Sequence, residues 1–267
     1  MNKPSPNSFS SSPHALSSPM KREAITPLQS GLPASGAMSP LSSHPAIPEY
    51  LEQTYWWAYV HPNAVRFFER QWLVNLILWG NFTRLRDAAI EAMQPKLDGH
   101  TLQIACVYGD FTQRIVKQIP TGGRLDVVDV APVQLNNLEN KLGTIPNNVV
   151  LSQQDSSTLS YDDNSFDSVL LFFLLHEQPE DVRAKTVKEA FRVVKPGGKV
   201  VFVDYHQPVK RNPFRYIMWP VLKWLEPFAL ALWEKEISSW IPDGQTPSAI
   251  HKTTYFGGLY QRVVCDC

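Results

Sequence analysis

From residue 100 onward, short apolar runs and helical spacings alternate along the chain. The apolar runs predict strands at Thr101–Cys106, Arg124–Asp129, Asn148–Gln153, Phe166–Phe173 and Lys199–Asp204. Between them, apolar residues three and four apart predict helices near 111–119, 132–142 and 180–193. Pro132 opens the second of these helices and Gly143 follows its end, the asymmetry expected of helix termini. Strands that alternate with helices imply a parallel sheet with helices on both faces. The last stretch, "HKTTYFGGLYQRVVC", breaks the pattern: two β-rich runs flank Gly257-Gly258, which predicts an antiparallel hairpin closed by a two-residue turn. The expected class is therefore α/β, a Rossmann-like doubly wound sheet that is mainly parallel and ends in a C-terminal antiparallel hairpin.

Ahead of that pattern lies "YLEQTYWWAYVHPNAVRFFERQWLVNLILWGNFTRLRDAAIEAM", residues 50–93. Pro62 suits a helix start, and Val65, Phe68, Trp72, Leu76 and Trp79 then recur on one helical face. Leu73, Val74, Ile77 and Leu78 make the centre apolar nearly all round, yet far short of the roughly 20 residues that span a bilayer. A second aromatic stretch, residues 210–233, contains Lys223, Glu226, Pro213, Pro220 and Pro227, which exclude a comfortable membrane-spanning helix. Aromatic rings mixed with Lys and Arg suit a membrane–water interface, where each side chain meets both environments. Two readings stay open: the segments bury against each other as a cap, or they present a peripheral membrane surface and lipid-substrate lid.

The chain has 267 residues, 43% of them hydrophobic, and no net formal charge. That allows one substantial domain with additions and gives no support for nucleic-acid binding. Residues 1–48 hold 12 Ser and 9 Pro but one acid, Glu23, so a disordered tail is expected there. An aromatic-rich helical cap is expected over 49–98, and the α/β domain over 99–267 with an interfacial insertion at 208–248. Three cysteines are too few for a disulfide framework, and the terminal "CDC" lacks a matching pair for zinc.

Ligands of doubly wound sheets bind outside the carboxyl ends of the strands, and this chain places polar residues there. "LQIACVYGDFTQRI", residues 102–115, runs from strand to helix through a turn ending at Gly109. Asp129 closes the second strand about 20 residues later, the spacing at which a carboxylate receives ribose hydroxyls. Asp155 follows the third strand, His176-Glu177 the fourth, and Asp204-Tyr205-His206 the fifth. An acid after a strand is often only a helix cap. Four in register point to a nucleoside-type cofactor; the absence of GxGxxG disfavours a nicotinamide-linked dehydrogenase.

"SYDDNSFDSVLLFFLLHE" and "EAFRVVKPGGKVVFVDY" resemble the fourth- and fifth-strand signatures of the class I S-adenosylmethionine-dependent methyltransferases. By position, Gln103 takes the usual acid's place, Ala105 and Val107 replace the first two glycines, and Gly109 is the third. The same resemblance implies that Asp129 meets the ribose and that Asp155 with Ser156 lies beside adenine. "YWWAYVHPNAVRFFERQWLVNLILWGNFTRLRDAA", "ACVYGD" and "YFGGLYQRVV" are more specific, and over roughly residues 50–265 the chain resembles the rhodoquinone-biosynthesis family, RquA. That resemblance implies conversion of ubiquinone to rhodoquinone, with S-adenosylmethionine as amino donor and manganese as metal cofactor.

A quinone ring is an electrophile, so an amino group must be neutral to attack it. Gln103 in place of an acid would leave the cofactor's amine free of a carboxylate clamp. Catalytic candidates are His176, Glu177 and Tyr205; metal candidates are His176, Glu177 and Asp110, with His206 a further imidazole. A polyprenyl quinone further implies a peripheral enzyme on the cytoplasmic face of a bacterial inner membrane, or on the matrix face of the mitochondrial inner membrane. The alternatives are an ordinary quinone or lipid methyltransferase and a non-catalytic module that binds lipid or a partner. The sequence leaves the oligomeric state open.

Overall fold

The computed structural model describes residues 45–267, so the predicted tail lies, except for its last four residues, outside the described part. Seven strands form one sheet: β1 (His100–Ile104), β2 (Arg124–Asp129), β3 (Val149–Gln153), β4 (Phe166–Phe172), β5 (Val194–Tyr205), β6 (Ala249–Tyr255) and β7 (Tyr260–Asp266). Their order is β3-β2-β1-β4-β5-β7-β6. The first five run parallel, and β7 pairs antiparallel with both β5 and β6. β4, "FDSVLLF", is buried at nearly every position, as a central strand covered on both faces must be. Order reverses between β1 and β4, which makes the carboxyl ends around them a topological switch point.

Between the strands run α5 (Phe111–Gln118), α6 (Pro132–Leu142) and α7 (Glu180–Val193), within a residue or so of their expected bounds. β5 starts earlier than expected because "KPGG" is an irregularity inside the strand: Phe166 pairs with Val194, then Ser168 pairs with Lys199. Gly197 has φ +77°, and a Cβ on Gly198 would sit 2.8 Å from the Lys195 carbonyl, so neither position readily takes a larger residue. The hairpin forms as expected, with Phe256–Leu259 making a four-residue turn instead of a two-residue one.

The front segment departs from its expected single helix. It comprises α1 (Glu49–Thr54), a wide turn at Trp56–Val60, α2 (Pro62–Phe68), α3 (Gln71–Ile77) and α4 (Phe82–Met93). The first break has a tertiary cause. Glu69 turns to accept from the Gly109 N–H (3.1 Å) and Asn137 Nδ2 (2.7 Å), and it pairs with Lys141 (3.0 Å). The second is local, since Trp79 and Gly80 are both left-handed. The expected single face is therefore split: Val65 is buried, whereas Trp72 and Leu76 are exposed. The insertion holds α8 (Phe214–Leu225), with Pro220 inside it, and the short α9 (Ala231–Glu234). Among the described residues no helix is long and apolar enough to cross a membrane.

Candidate active site

The loop after β1 is rebuilt without two of its glycines. Ala105 has φ +73°, a conformation glycine adopts easily and alanine does not. Local bonds hold it there. The Gln103 amide donates to the Ala105 carbonyl (2.9 Å), and Ala105 N–H donates to the Val128 carbonyl (2.8 Å). Asp129 accepts from the Cys106 N–H through Oδ2 and from the Ala131 N–H through Oδ1, both at 2.8 Å. Lys141 donates to the carbonyls of Val107 (3.1 Å) and Gly109 (2.9 Å). At Gly109, φ +78° and a Phe82 ring carbon 3.0 Å from any added Cβ retain the glycine. The front segment covers the loop: Tyr108 donates to the Ala58 carbonyl (2.7 Å), its ring stacks on Tyr59, and Gln134 donates to both the Tyr59 carbonyl and the Tyr108 hydroxyl.

Beneath that cover lies a narrow cleft at the carboxyl ends of β1, β2 and β3. Ala105, Asp129, Asp155, Ser156 and Glu177 line it, as do Tyr50, Tyr59 and Gln134. Burial lifts the Asp129 carboxyl to about 6, and the backbone N–H groups around it oppose the rise. Asp155 accepts from Ser157 N–H and Oγ at 2.8 Å, so part of its function is to close the turn after β3. Ser156 Oγ faces Thr186 (3.0 Å) and accepts from Gln178 Nε2 (2.9 Å). Gln103, Val107, Gly109 and Asp110 are not on the cleft wall but build the loop behind it. Gln103 is fully buried, donating to Ala105 and accepting from Thr112 Oγ1 (3.0 Å).

One end of the cleft meets a buried ionisable cluster. His176 Nδ1 lies 3.0 Å from Asp204 Oδ1, while Nε2 is 3.8 Å from Glu177 Oε1 and 3.9 Å from Glu226 Oε2. Asp204 Oδ2 also accepts from the N–H groups of Leu175 (2.9 Å) and His176 (3.3 Å). Arg183, fully buried on α7, fixes the same turn by donating to the carbonyls of Leu175, Gln178 and Phe228, each at 2.8 Å. Burial alone would lower the His176 pKa, but Asp204, then Glu226 and Glu177, outweigh it and lift it to about 9. Burial raises Glu177 to about 8; repulsion from Glu226 and Asp204 adds to this, while His176 and the Tyr59 hydroxyl oppose it. Tyr205 lies beside the cluster, its ring 5.0 Å from the imidazole, and burial pushes its hydroxyl well up.

His206 sits apart, its Nδ1 2.8 Å from the Gly258 carbonyl and its Nε2 2.9 Å from Lys252. Asp110 is likewise committed elsewhere, to Arg86 (2.6 Å) and Arg114 (2.5 Å), which hold its carboxyl below the usual range against the opposing effect of burial. The expected metal trio of His176, Glu177 and Asp110 is therefore not assembled. Among the described residues no three His, Cys, Asp or Glu side chains form a group suited to a metal ion, so the donor set does not fit manganese. Tyr50, Tyr59 and Glu226 are site residues that sequence reasoning missed, because the front segment and the end of α8 reach the site only through tertiary packing. Arg183 was missed because helical spacing does not show that its guanidinium turns inward. The acid at position 204, by contrast, was legible from its place at the end of β5.

The strand order, terminal hairpin and cleft over β1–β3 are those of the class I S-adenosylmethionine-dependent methyltransferases. Solved structures share the fold, including a methyltransferase from Methanosarcina mazei (TM-score 0.50, 20% identity, 64% of this chain and 93% of that one). The N-methyltransferase NodS from Bradyrhizobium japonicum aligns similarly (TM-score 0.50, 13% identity, 70% and 98%). Residues 71–239 match the ubiE/COQ5 methyltransferase family, and the chain belongs to that family. Relatives include the demethylmenaquinone methyltransferases of Lactobacillus johnsonii (30% identity; 54% of this chain, 59% of the relative) and Staphylococcus carnosus (32%; 51% and 55%). The chain thus spans less than two thirds of the length of either relative.

The raised pKa values of Glu177 and His176 set a pH dependence of stability. Both groups bind protons more tightly folded than unfolded, so the stability these two contribute is present at low pH and is lost as pH rises through about 8 for Glu177 and about 9 for His176. Glu226, Asp204, Tyr55, Tyr59, Tyr205 and Arg183 are the ionisable groups around the pair and remain in every variant used to test it. Thermal unfolding from pH 6 to pH 9 is expected to show a midpoint falling by about 5 °C or more, and Glu177→Gln is expected to flatten that fall. A wild-type midpoint that stays constant over that range would show that the cluster does not bind protons as described.

Proposed function

We propose that this chain is an S-adenosylmethionine-dependent enzyme that modifies the ring of a membrane-held quinone. Within that class, we propose exchange of a ubiquinone methoxy group for an amino group, giving rhodoquinone, as the resemblance to the RquA family implies. The observation that carries the finer reading is Gln103. The residue where the fold usually keeps an acid is a buried amide whose two polar atoms are both used inside the chain. No carboxylate at that position holds the donor's amine as ammonium.

The cluster at the end of the cleft suits the proton traffic of such an exchange. A C–N bond would form at the ring carbon that bears methoxy as the C–O bond breaks and methoxide leaves as methanol. The donor's N–Cα bond must then also break, which balances if the Cα proton is lost, its electron pair reduces the quinone ring, and water hydrolyses the resulting imine to a 2-oxo acid and the reduced aminoquinone. Glu177, which gives up its own proton near pH 8, takes in its ionised form the proton that the nitrogen sheds. His176, protonated near neutrality and held by Asp204, supplies the proton that methoxide needs. S-adenosylmethionine would lie over Ala105, Asp129 and Asp155 and supply the transferred group.

A second reading, methyl transfer to a quinone precursor, is favoured by family membership and by the relatives named demethylmenaquinone methyltransferases. Incubation with ubiquinone and S-adenosylmethionine, followed by mass analysis of the quinone and the spent donor, separates the two. Rhodoquinone with methanol is expected, and Gln103→Glu is expected to slow its formation by about tenfold or more. A methylated ring with S-adenosylhomocysteine would overturn amino exchange in favour of the second reading.

A bilayer-held substrate requires a surface that meets lipid. Trp72, Leu76 and Ile77 on α3 and Tyr216, Trp219 and Trp224 on α8 are exposed, Trp224 at 82%. The Trp79 indole joins the two helices, with Nε1 3.2 Å from Met218 Sδ and its ring edge-on to Phe214 at 4.6 Å. Arg66, Arg70, Lys210, Arg211 and Lys223 are exposed on the same segments and favour an anionic surface. We therefore place the enzyme peripherally on an inner membrane, at the cytoplasmic or matrix face. Full-length protein should sediment with anionic vesicles, and the Trp72→Ser/Trp224→Ser double variant should remain in the supernatant. Wild-type protein that ignores such vesicles would remove the membrane surface from the proposal.

A further inference from the structure

Glu226 is the least expected member of the buried cluster. It ends α8, where its N–H donates to the Leu222 carbonyl (2.8 Å), and its side chain turns inward. Its Oε2 is buried, has no hydrogen-bond partner and lies 3.9 Å from His176 Nε2. From the front segment Tyr55 arrives fully buried, its hydroxyl facing the Glu226 carboxyl. From the opposite side Glu177 Oε1 stands 3.8 Å from the same imidazole nitrogen.

Both separations exceed hydrogen-bond length, so neither acid hydrogen-bonds the imidazole nitrogen, which leaves a gap in the hydrogen bonding among these groups. Buried polar atoms without partners cost stability, and where they gather about one point they imply a polar ligand or water between them. Two facts locate the gap. Glu177 also walls the cofactor cleft, so the gap borders the place where the transferred group would be presented. Glu226 directly follows Trp224 and Leu225, both exposed on α8, so the gap also lies at the inner foot of the aromatic surface.

We propose that Glu226, Tyr55 and His176 form a subsite for one ring oxygen of the substrate, either a quinone carbonyl or the hydroxyl of its reduced form. His176 and Tyr55 donate to a carbonyl oxygen. Glu226 accepts from a hydroxyl, and in its neutral form it donates as they do. A ring anchored there by its oxygen presents its neighbouring carbon toward the cleft, which makes Glu226 a specificity-determining residue. The subsite rests on the reading that the substrate is a quinone; it does not depend on whether an amino or a methyl group is transferred.

The test is binding to the full chain loaded with S-adenosylhomocysteine. The probe is a tail-less dimethoxy-methyl-benzoquinone, tested oxidised and reduced and followed by tryptophan quenching. Glu226→Leu is expected to weaken probe binding by about tenfold, Glu226→Gln by less, and Tyr55→Phe by about threefold. Affinity for S-adenosylhomocysteine should stay within about twofold in each variant, which a merely structural role would not allow. Probe affinity unchanged in Glu226→Leu and Tyr55→Phe would overturn the subsite and leave the quinone reading standing. A wild type that binds S-adenosylhomocysteine but neither form of the probe would overturn the quinone reading, and the subsite with it. If Glu226→Leu fails to fold, Glu226→Gln and Tyr55→Phe carry the same decision.

Discussion

The Asp129 carboxylate is the interaction on which the site depends. It accepts one N–H from the loop after β1 and one from the loop after β2, so a single buried charge fixes both edges of the cleft floor. That bridge explains how a loop with Ala105 and Val107 keeps its shape where glycines are usual. Glycine reaches such a conformation without help; here Asp129, Gln103 and Lys141 hold the backbone from three sides. The same bonds leave no polar group of Gln103 free for the cofactor.

From that floor the rest of the site follows by packing. Tyr59, Tyr108 and Gln134 bind the front segment down over the loop. Arg183 ties the His176–Glu177 turn to the backbone at Phe228, just beyond Glu226. Cleft and ionisable cluster thus share Glu177 as a common wall, and the aromatic helices lie outside it. A donor held over the floor and a ring entering past α8 would meet at that wall.

Much of the fold was legible in the residue pattern, and the reason is physical. β2, α6 and α7 have strong periodicity and clear terminal residues, so local sequence and final structure agree there. The local spacing of the front segment is that of a continuous helix, whereas its first break depends on Glu69 finding Gly109, Asn137 and Lys141, partners far away in sequence. Asp129, Asp155 and Glu177 were legible as cleft residues because strand ends of this sheet class face the ligand. Asp110 carried the same local signal, yet Arg86 and Arg114 claim its carboxylate. Glu226 carried none, since its inward turn follows from how α8 lies on the domain.

The direct test of the floor is calorimetric titration of S-adenosylhomocysteine into wild-type protein and Asp129→Asn. One molecule should bind per wild-type chain, and Asp129→Asn should bind about tenfold more weakly, because its single amide oxygen can accept from only one of the two loops and carries no charge. No binding by the wild type, or equal affinity in the variant, would contradict a cofactor cleft organised by Asp129.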